Sequence, residues 1–372
     1  MTKKATNNKT IIISAGGTGG HVFPAQAVAE KLYKEGYQLH FVCDKRALKY
    51  CDGILNDIKK TVILSSPPKQ NLSSKVLNLS LLLISTLKIM GKFCFKRPGL
   101  IISFGGYPAF PASLCAIIFR IPLFLHEQNS VLGQINRIFL PFADKLLTSF
   151  PNTQKIKDKY REKVILTGLP IRENLIKVLQ ERNAKARAKI KNLRILVIGG
   201  SQGAKLFSDI VPKAILNLEK SLQRKISITH QVRKEYLDDT IDIYSKASCK
   251  SSVKVFFGNM EELYNRHDLI ISRAGASSVV EVLLFQKAAI LVPFAMAKDN
   301  HQLYNAKYLS ENSKTIMKEE KQLSEKWLAS YIKDCLENPE RINEMGKSYK
   351  SQLRELHVNS ITKFFNEIDK II

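Results

Sequence analysis

Residues 11–24 read IIISAGGTGGHVFP. Three isoleucines run into Gly16, Gly17, Thr18, Gly19, Gly20 and His21, and Ala25, Val28, Ala29 and Leu32 follow at helical spacing. The pattern predicts a strand, a glycine-rich turn and a helix N-terminus. Such a turn aims backbone N–H groups and the positive end of a helix at one point, which suits a phosphate. His21 adds a group that moves protons near neutral pH. Half a chain later, residues 194–204 read RILVIGGSQGA. A strand, two glycines, a hydroxyl residue, one more residue and a glycine recur in the same order. The same loop used twice predicts an α/β protein of two similar Rossmann-like domains with parallel sheets.

The 372 residues are enough for two separate cores. The charge is unusual: 58 Lys+Arg against 33 Asp+Glu give +25. Residues 1–172 hold 25 basic and 9 acidic residues, and residues 58–126 hold nine Lys/Arg and no acid. Such a patch suits nucleic acid, an anionic membrane surface or a phosphorylated substrate. No RNP, zinc-finger or helix-turn-helix frame accompanies it, which argues against nucleic acid. The six cysteines are scattered without a C-x-x-C pair. They fit a reduced compartment and argue against a zinc ribbon or a disulfide scaffold. No signal peptide is visible, and no uninterrupted apolar stretch reaches the roughly 18 residues of a membrane span.

Along the chain, a basic tail (1–9) precedes strands at 10–14, 38–43 and 61–64. Residues 72–95 follow as a helix with Leu72, Val76, Leu79, Leu83 and Met90 on one face and Asn78, Ser85, Lys92 and Lys96 on the other. Such a helix either covers a core or lies on a bilayer. A strand at 100–104 ends in the glycine turn Gly105-Gly106-Tyr107-Pro108, and one at 122–125 ends at His126-Glu127-Gln128-Asn129. Open α/β sheets bind ligands at such strand ends. Strands at 145–148 and 164–166 precede the break TGLPIR (167–172). The alternation then restarts, with strands expected at 194–198, 226–231, 253–257, 269–272 and 289–292. From Asp299 the chain reads as helical to its end. These patterns divide it into domains 1–172 and 173–343, and the closing stretch 344–372 is expected to fold back on the first.

The densest polar constellation is 272–306, SRAGASSVVEVLLFQKAAILVPFAMAKDNHQLYNA. Gly275 and Ala276 admit a ligand close to the backbone. Ser277 and Ser278 open a helix, and Glu281 lies one turn further in. A carboxylate there suits two ribose hydroxyls, or it merely complements the helix dipole. Asp299-Asn300-His301-Gln302 opens the next helix with side chains able to read sugar hydroxyls. Taken together, these strand ends read as a nucleotide-sugar site.

GGTGGHVFPA, SFGGYPAFPA, HEQNSVLG, TGLPIR, GGSQGA, SRAGASSVVE and PFAMAKDNHQLYNA occur here in the order found in the MurG family. These are the UDP-N-acetylglucosamine–undecaprenyl-diphospho-muramoylpentapeptide N-acetylglucosaminyltransferases of peptidoglycan synthesis. The chain resembles them from about Thr10 to beyond Ala306. The resemblance implies a GT-B fold, two Rossmann-like domains whose parallel sheets face a cleft. It also implies an inverting, metal-independent transfer of N-acetylglucosamine from UDP-N-acetylglucosamine to undecaprenyl-linked lipid I, making lipid II, with no cofactor. Peripheral attachment to an anionic membrane surface follows, on the cytoplasmic face of the inner membrane, and other cell-wall synthesis proteins are implied partners.

Carried over onto the matching positions, the substrate-binding residues would be Thr18, Gly19, Gly20, Asn129, Arg172, Ser201, Phe257, Ala276, Ser278, Glu281 and Gln302. Ser278 stands where Thr is frequent. His301 replaces a Gln of some relatives, which puts its contact in doubt. The sequence has no D-x-D pair, so stabilisation of the leaving diphosphate falls to helix ends and glycine loops. Inversion needs a base on the acceptor hydroxyl. His21 is the candidate and Glu127 its rival, with a purely loop-ordering role as the alternative for His21.

Overall fold

The structure, a computed structural model, describes residues 9–64, 72–181, 192–200 and 204–372. Ile11, Ile12 and Ile13 are all buried, and they serve opposite faces of one sheet. Ile11 and Ile13 pack with Phe41, Leu100, Ile102 and Phe124, whereas Ile12 packs with Val42, Ile63, Ile101 and Leu123. A run apolar on both faces is what a parallel sheet covered on both sides requires. The sheet holds β1 (Thr10–Ser14), β2 (Gln38–Asp44), β3 (Lys59–Ile63), β4 (Leu100–Ser103), β5 (Leu123–Glu127), β6 (Lys145–Thr148) and β7 (Val164–Leu166). Its strand order is β3-β2-β1-β4-β5-β6-β7 with every pairing parallel. The chain reverses direction across the sheet between β1 and β4, so this switch point opens at the turns after Ser14 and Ser103.

The second sheet repeats the plan. It holds β8 (Leu193–Ile198), β9 (Ile226–Gln231), β10 (Lys250–Lys254), β11 (Leu269–Ser272), β12 (Ala288–Leu291) and β13 (Ile316–Met317), ordered β10-β9-β8-β11-β12-β13. Its switch point lies between β8 and β11. Two elements differ from the sequence reading. The strand expected at 253–257 is Lys250–Lys254, in register with Ser227–Gln231. It is an edge strand with mostly exposed side chains, so it carries little of the apolar signal that marks the central ones. The stretch after Asp299 is not wholly helical, because β13 adds two residues beside β12.

The chain forms two compact units, 1–173 with 356–372 and 174–355. Residues 344–355 thus stay with the second unit, where Met345 lies in the core and Tyr349 donates its hydroxyl to the Lys287 carbonyl at 2.6 Å. The return to the first unit starts at Leu356. Gly168 of TGLPIR has φ +86°, and a Cβ there would sit 2.5 Å from the Leu356 carbonyl oxygen. Only glycine fits that turn. The next amide, of Leu169, donates to Nδ1 of His357 at 2.9 Å, and burial first, then the Lys363 charge, holds this histidine neutral with a pKa of about 3. The last helix, Ser360–Asp369, places Phe364 and Ile368 in the core beneath β1 and β4. Phe364 stacks on Phe104 with centroids 6.0 Å apart and planes 3° from parallel.

The Leu72–Phe95 helix forms, and the apolar stripe read from the sequence does not cover the core. Leu82, Ser85, Thr86, Ile89 and Phe93 are buried, whereas Val76, Leu79, Leu83, Ile84, Leu87 and Phe95 are exposed. Ser85, expected outside, points inward and exchanges hydrogen bonds with the backbone N–H (3.1 Å) and carbonyl (3.2 Å) of Leu64. Thr86 donates to the Leu82 carbonyl, so both buried hydroxyls are paired. The side chains of Leu72 and Asn78 lie outside the described residues.

Phe364 makes the C-terminal return part of the first core. Phe364→Ala should cost about 3–5 kcal/mol and lower the melting transition of that unit while sparing the other. Melting indistinguishable from wild type would refute the assignment.

Candidate functional site

In the first unit the turn after β1 is held from below by Asp44, the last residue of β2. Its Oδ1 accepts from the amides of Gly17 (3.0 Å) and Ala47 (3.1 Å), and its Oδ2 pairs with Arg46 Nε at 2.7 Å. In dinucleotide-binding sheets an acid at this strand end takes the ribose hydroxyls. Here it is used by the loop itself. Gly16 packs on the second turn, so that a Cβ would lie 2.6 Å from Cγ of Pro108. Gly17 has φ +84°.

Thr18, half-buried and extended, precedes the helix Gly19–Lys34, whose first turn holds no acid and no side-chain cap. The His21 amide already donates to the Thr18 carbonyl at 3.1 Å, so the N–H groups of Gly19 and Gly20 are the ones placed for an anion. Gly20 is exposed, and Gly19 lies under Phe23, whose ring leaves a Cβ only 2.8 Å of room. Arg172 stacks its guanidinium on the same ring at 4.8 Å, which sets a cation beside the first turn.

His21 is half-buried within that first turn rather than at the cap. Its Nδ1 lies 2.7 Å from the Phe104 carbonyl and 3.1 Å from Oε1 of Gln128. Both partners accept, so Nδ1 donates, and in the neutral ring the lone pair lies on Nε2. A Cβ on Gly106 would lie 3.6 Å from that Nε2, so the basic nitrogen faces the glycine turn after β4.

Glu127 is placed differently from a base. It is buried, and its carboxylate accepts from Asn129 N (3.0 Å), Asn129 Nδ2 (3.2 Å), Gly133 N (2.8 Å) and Asn136 Nδ2 (2.9 Å). Four donors occupy a carboxylate's full accepting capacity. Glu127 therefore ties the HEQN turn together, and each of its lone-pair positions already faces a donor. The Asn129 amide is directed back to the same carboxylate.

In the second unit Ser201 lies outside the described residues, together with Gln202 and Gly203. The turn after β11 is described in full. Gly275 caps the helix Ala276–Leu284, again without a side-chain cap and without acid in the first turn. Ala276 is buried, while Ser278 and Glu281 are half-buried. The Tyr264 hydroxyl is buried beside them, and burial and then the Glu281 charge raise its pKa well above the ordinary value. Gln302 accepts the Phe294 amide on Oε1 at 3.0 Å, which turns its NH₂ end outward. Asp299 (φ 57°) and Asn300 (φ 55°) precede it in two successive left-handed conformations, and His301 Nδ1 donates to the Lys298 carbonyl at 2.8 Å. Phe257 is half-buried in the loop after β10, with Lys254 Nζ 5.9 Å from its centroid.

Sequence reasoning passed over Arg273, which directly follows β11. It is buried between the rings of Phe207 (5.1 Å) and Phe294 (5.3 Å) and pairs with Glu320 at 2.5 Å. An arginine within SRAGASS at a switch point was the available signal. Asp44 carried a comparable one, as an acid ending the strand after a glycine loop.

The Glycosyltransferase family 28 N-terminal domain matches residues 11–148, and the C-terminal domain of that family matches residues 194–360. Two curated relatives, from Rickettsia felis and Rickettsia bellii, are 37% and 36% identical, each over 94% of this chain and 97% of its own length. Both are named UDP-N-acetylglucosamine–N-acetylmuramyl-(pentapeptide) pyrophosphoryl-undecaprenol N-acetylglucosamine transferase. The chain belongs to the MurG family of glycosyltransferases. The crystal structure of Acinetobacter baumannii MurG matches with a TM-score of 0.73 and 29% identity, over 97% of this chain and 99% of that one. A putative UDP-N-acetylglucosamine 2-epimerase from Listeria monocytogenes shares the fold, with a TM-score of 0.67 at 10% identity, over 98% of this chain and 96% of that one. The two Rossmann-like units are thus of the GT-B type.

Glu127→Gln replaces two acceptor sites by donors that face N–H groups. It should destabilise the first unit by about 1–3 kcal/mol without moving the pH dependence of turnover. A lost basic or acidic limb in the pH–rate profile would restore Glu127 as a titrating catalyst.

Proposed function

We infer that this chain transfers N-acetylglucosamine from UDP-N-acetylglucosamine to an undecaprenyl-diphosphate-linked muramyl pentapeptide. One observation carries the reading: identity to transferases of that name runs through both units, over 94% of the chain. An acceptor hydroxyl attacks the anomeric carbon from the face opposite the diphosphate. The bond to the diphosphate oxygen breaks, UDP leaves with the electron pair, and the hydroxyl proton goes to a base. His21 takes that proton on Nε2, because Nδ1–H is already committed to Phe104 and Gln128.

Charge grows on the departing diphosphate. Helix N-termini that lack acids and caps are suited to it, and the helix opening at Ala276 holds the donor phosphates with the Ser278 hydroxyl. Glu281 accepts the ribose hydroxyls, Gln302 donates to the sugar, Phe257 lies along the uracil and Ser201 contacts the diphosphate. Thr18, Gly19, Gly20 and Arg172 line the turn beside His21, and Asn129 would reach the sugar only by releasing its amide from Glu127.

The acceptor is lipid-linked, so the enzyme works at a membrane surface. The exposed leucines of the Leu72–Phe95 helix, flanked by exposed Lys88, Lys92 and Lys96, dock there on the cytoplasmic side. Each buried leucine contributes about 1.5–3 kcal/mol, and each cation near an anionic surface about 1 kcal/mol.

Two measurements test this. Sugar-labelled UDP-N-acetylglucosamine with a lipid-linked muramyl pentapeptide diphosphate should yield butanol-soluble label, and His21→Ala should lower kcat by about 10²–10⁴-fold. A loss under about tenfold leaves His21 a loop residue. Separately, Leu79, Leu83 and Leu87 changed together to Ser should weaken co-sedimentation with anionic vesicles by at least about tenfold, leaving UDP-N-acetylglucosamine affinity intact. Undiminished vesicle binding would count against docking through this helix.

A further inference from the structure

The His21 imidazole is the end of a longer chain of polar groups, all within the first unit. Gln128 is buried. Its Nε2 donates to the Phe104 carbonyl at 2.8 Å and lies 3.1 Å from Nδ1 of His126. His126 is fully buried between aromatic rings, 5.1 Å from Phe104 and 5.7 Å from Phe364. Burial pushes its pKa down to about 3, and the nearby His21 adds to the depression. A hydrogen bond to the Gly168 backbone opposes it. The Gln128 NH₂ group only donates, so Nδ1 of the neutral ring is the acceptor and Nε2 carries the proton. The Ser149 hydroxyl lies 3.4 Å from the same Nε2. With an acceptor at His126 and another at Phe104, only one orientation of the Gln128 amide satisfies both. That orientation turns Oε1 toward Nδ1–H of His21.

We propose that Gln128, locked by the buried His126, is a positioning residue that holds and polarises His21 for proton transfer. The proposal rests on the reading of His21 as the base. Two oxygens, one backbone and one amide, accept from Nδ1–H. When Nε2 takes up a proton, that N–H becomes charge-assisted and both bonds strengthen. An amide here does for the imidazolium what a carboxylate does in other orienting triads, with less pull and without a second charge to desolvate. The lock extends through Gly168 to the C-terminal return, because the Gly168 turn is packed against Leu356 and the His126 ring against Phe364.

Other charged and titratable groups surround the loop. Asp44 and Arg46 hold Gly17 from below, Arg172 lies on Phe23, and Glu127 is taken up by the HEQN turn. None of these contacts involves Gln128, so its variants change the partners of His21 and not the charges around it.

The test compares Gln128→Met and Gln128→Glu in the full-length enzyme. Removing the amide acceptor disfavours the charged imidazole, whereas a carboxylate favours it. In Gln128→Met the acid limb of the kcat/KM profile should move to lower pH and kcat should fall by at least about fivefold. KM for UDP-N-acetylglucosamine should stay within about twofold, since the donor is held by the second unit. In Gln128→Glu the acid limb should move to higher pH. A residue that only supports the fold would move neither limb. His126→Phe keeps a ring between Phe104 and Phe364 but frees the amide, and it should shift the limb as Gln128→Met does, by less; it serves if the Gln128 variants do not fold. A histidine-selective NMR titration of His21 in wild type and Gln128→Met reads the same shift without turnover. If His21→Ala retains activity, the base reading fails while this titration still judges the lock. Unshifted limbs and an unshifted titration would overturn the proposal.

Discussion

The first unit's site depends on one close approach at its switch point. Gly16 lies against Pro108 with no room for a Cβ, and the Phe104 amide donates to the Ser14 carbonyl at 2.8 Å. These contacts bring the turns after β1 and β4 together. The Phe104 carbonyl then reaches His21 on the helix that β1 feeds. Any side chain at position 16 would push the turns apart and separate the imidazole from its acceptor. Asp44 completes the arrangement from the far side by ordering Gly17. The glycines serve this approach as much as they serve a phosphate.

Most of the architecture was legible because β-branched runs and glycine turns leave few alternatives. Ile11–Ile13 before Gly16 and residues 195–198 before Gly199 each fix a strand, a turn and a switch point. What escaped had no local signature. Lys250–Lys254 forms an edge strand from polar residues, held by its pairing with β9 and not by an apolar face of its own. At the site, a buried histidine near the end of β5 and a buried glutamine just after it look like any polar strand end. Their roles come from a partner more than twenty residues away in Phe104 and from a C-terminal helix that no local pattern connects to them. The four donors to Glu127 are hidden in the same way, since they come from residues after the strand whose direction only the folded turn sets.

The two switch points are built differently around a shared geometry. In the second unit the aromatic and charged residues packed around the turn do the fixing. Arg273 is held between two rings and paired with Glu320, and Gln302 is anchored by the Phe294 amide. In the first unit the carboxylates of Asp44 and Glu127 order the backbone of the turns, whereas the groups that touch His21 are neutral, a backbone carbonyl and an amide backed by a histidine that burial keeps uncharged. That difference matches the tasks proposed for them. A buried charge near a proton acceptor would pin its protonation state, whereas neutral dipoles orient it and leave it free to cycle.

The Leu72–Phe95 helix shows where periodicity has no single answer. Leu82, Ile89 and Phe93 face the core, while Leu79, Leu83 and Leu87 face outward, so apolar residues appear at every helical offset. Spacing alone then does not say which stripe is covered: Val76, Leu79 and Leu83 lie outward, as the bilayer-facing alternative requires. The inward face carries the two hydroxyls because each finds a backbone partner, Ser85 at Leu64 and Thr86 at Leu82. The outward face carries leucines with no such compensation. In water it forfeits roughly 25 cal/mol for each Å² of apolar surface left uncovered. In a chain of net charge +25, the surface that recovers this energy is both apolar and anionic. A bilayer of acidic lipids meets both conditions, and the polyprenyl-linked acceptor proposed above would lie in it.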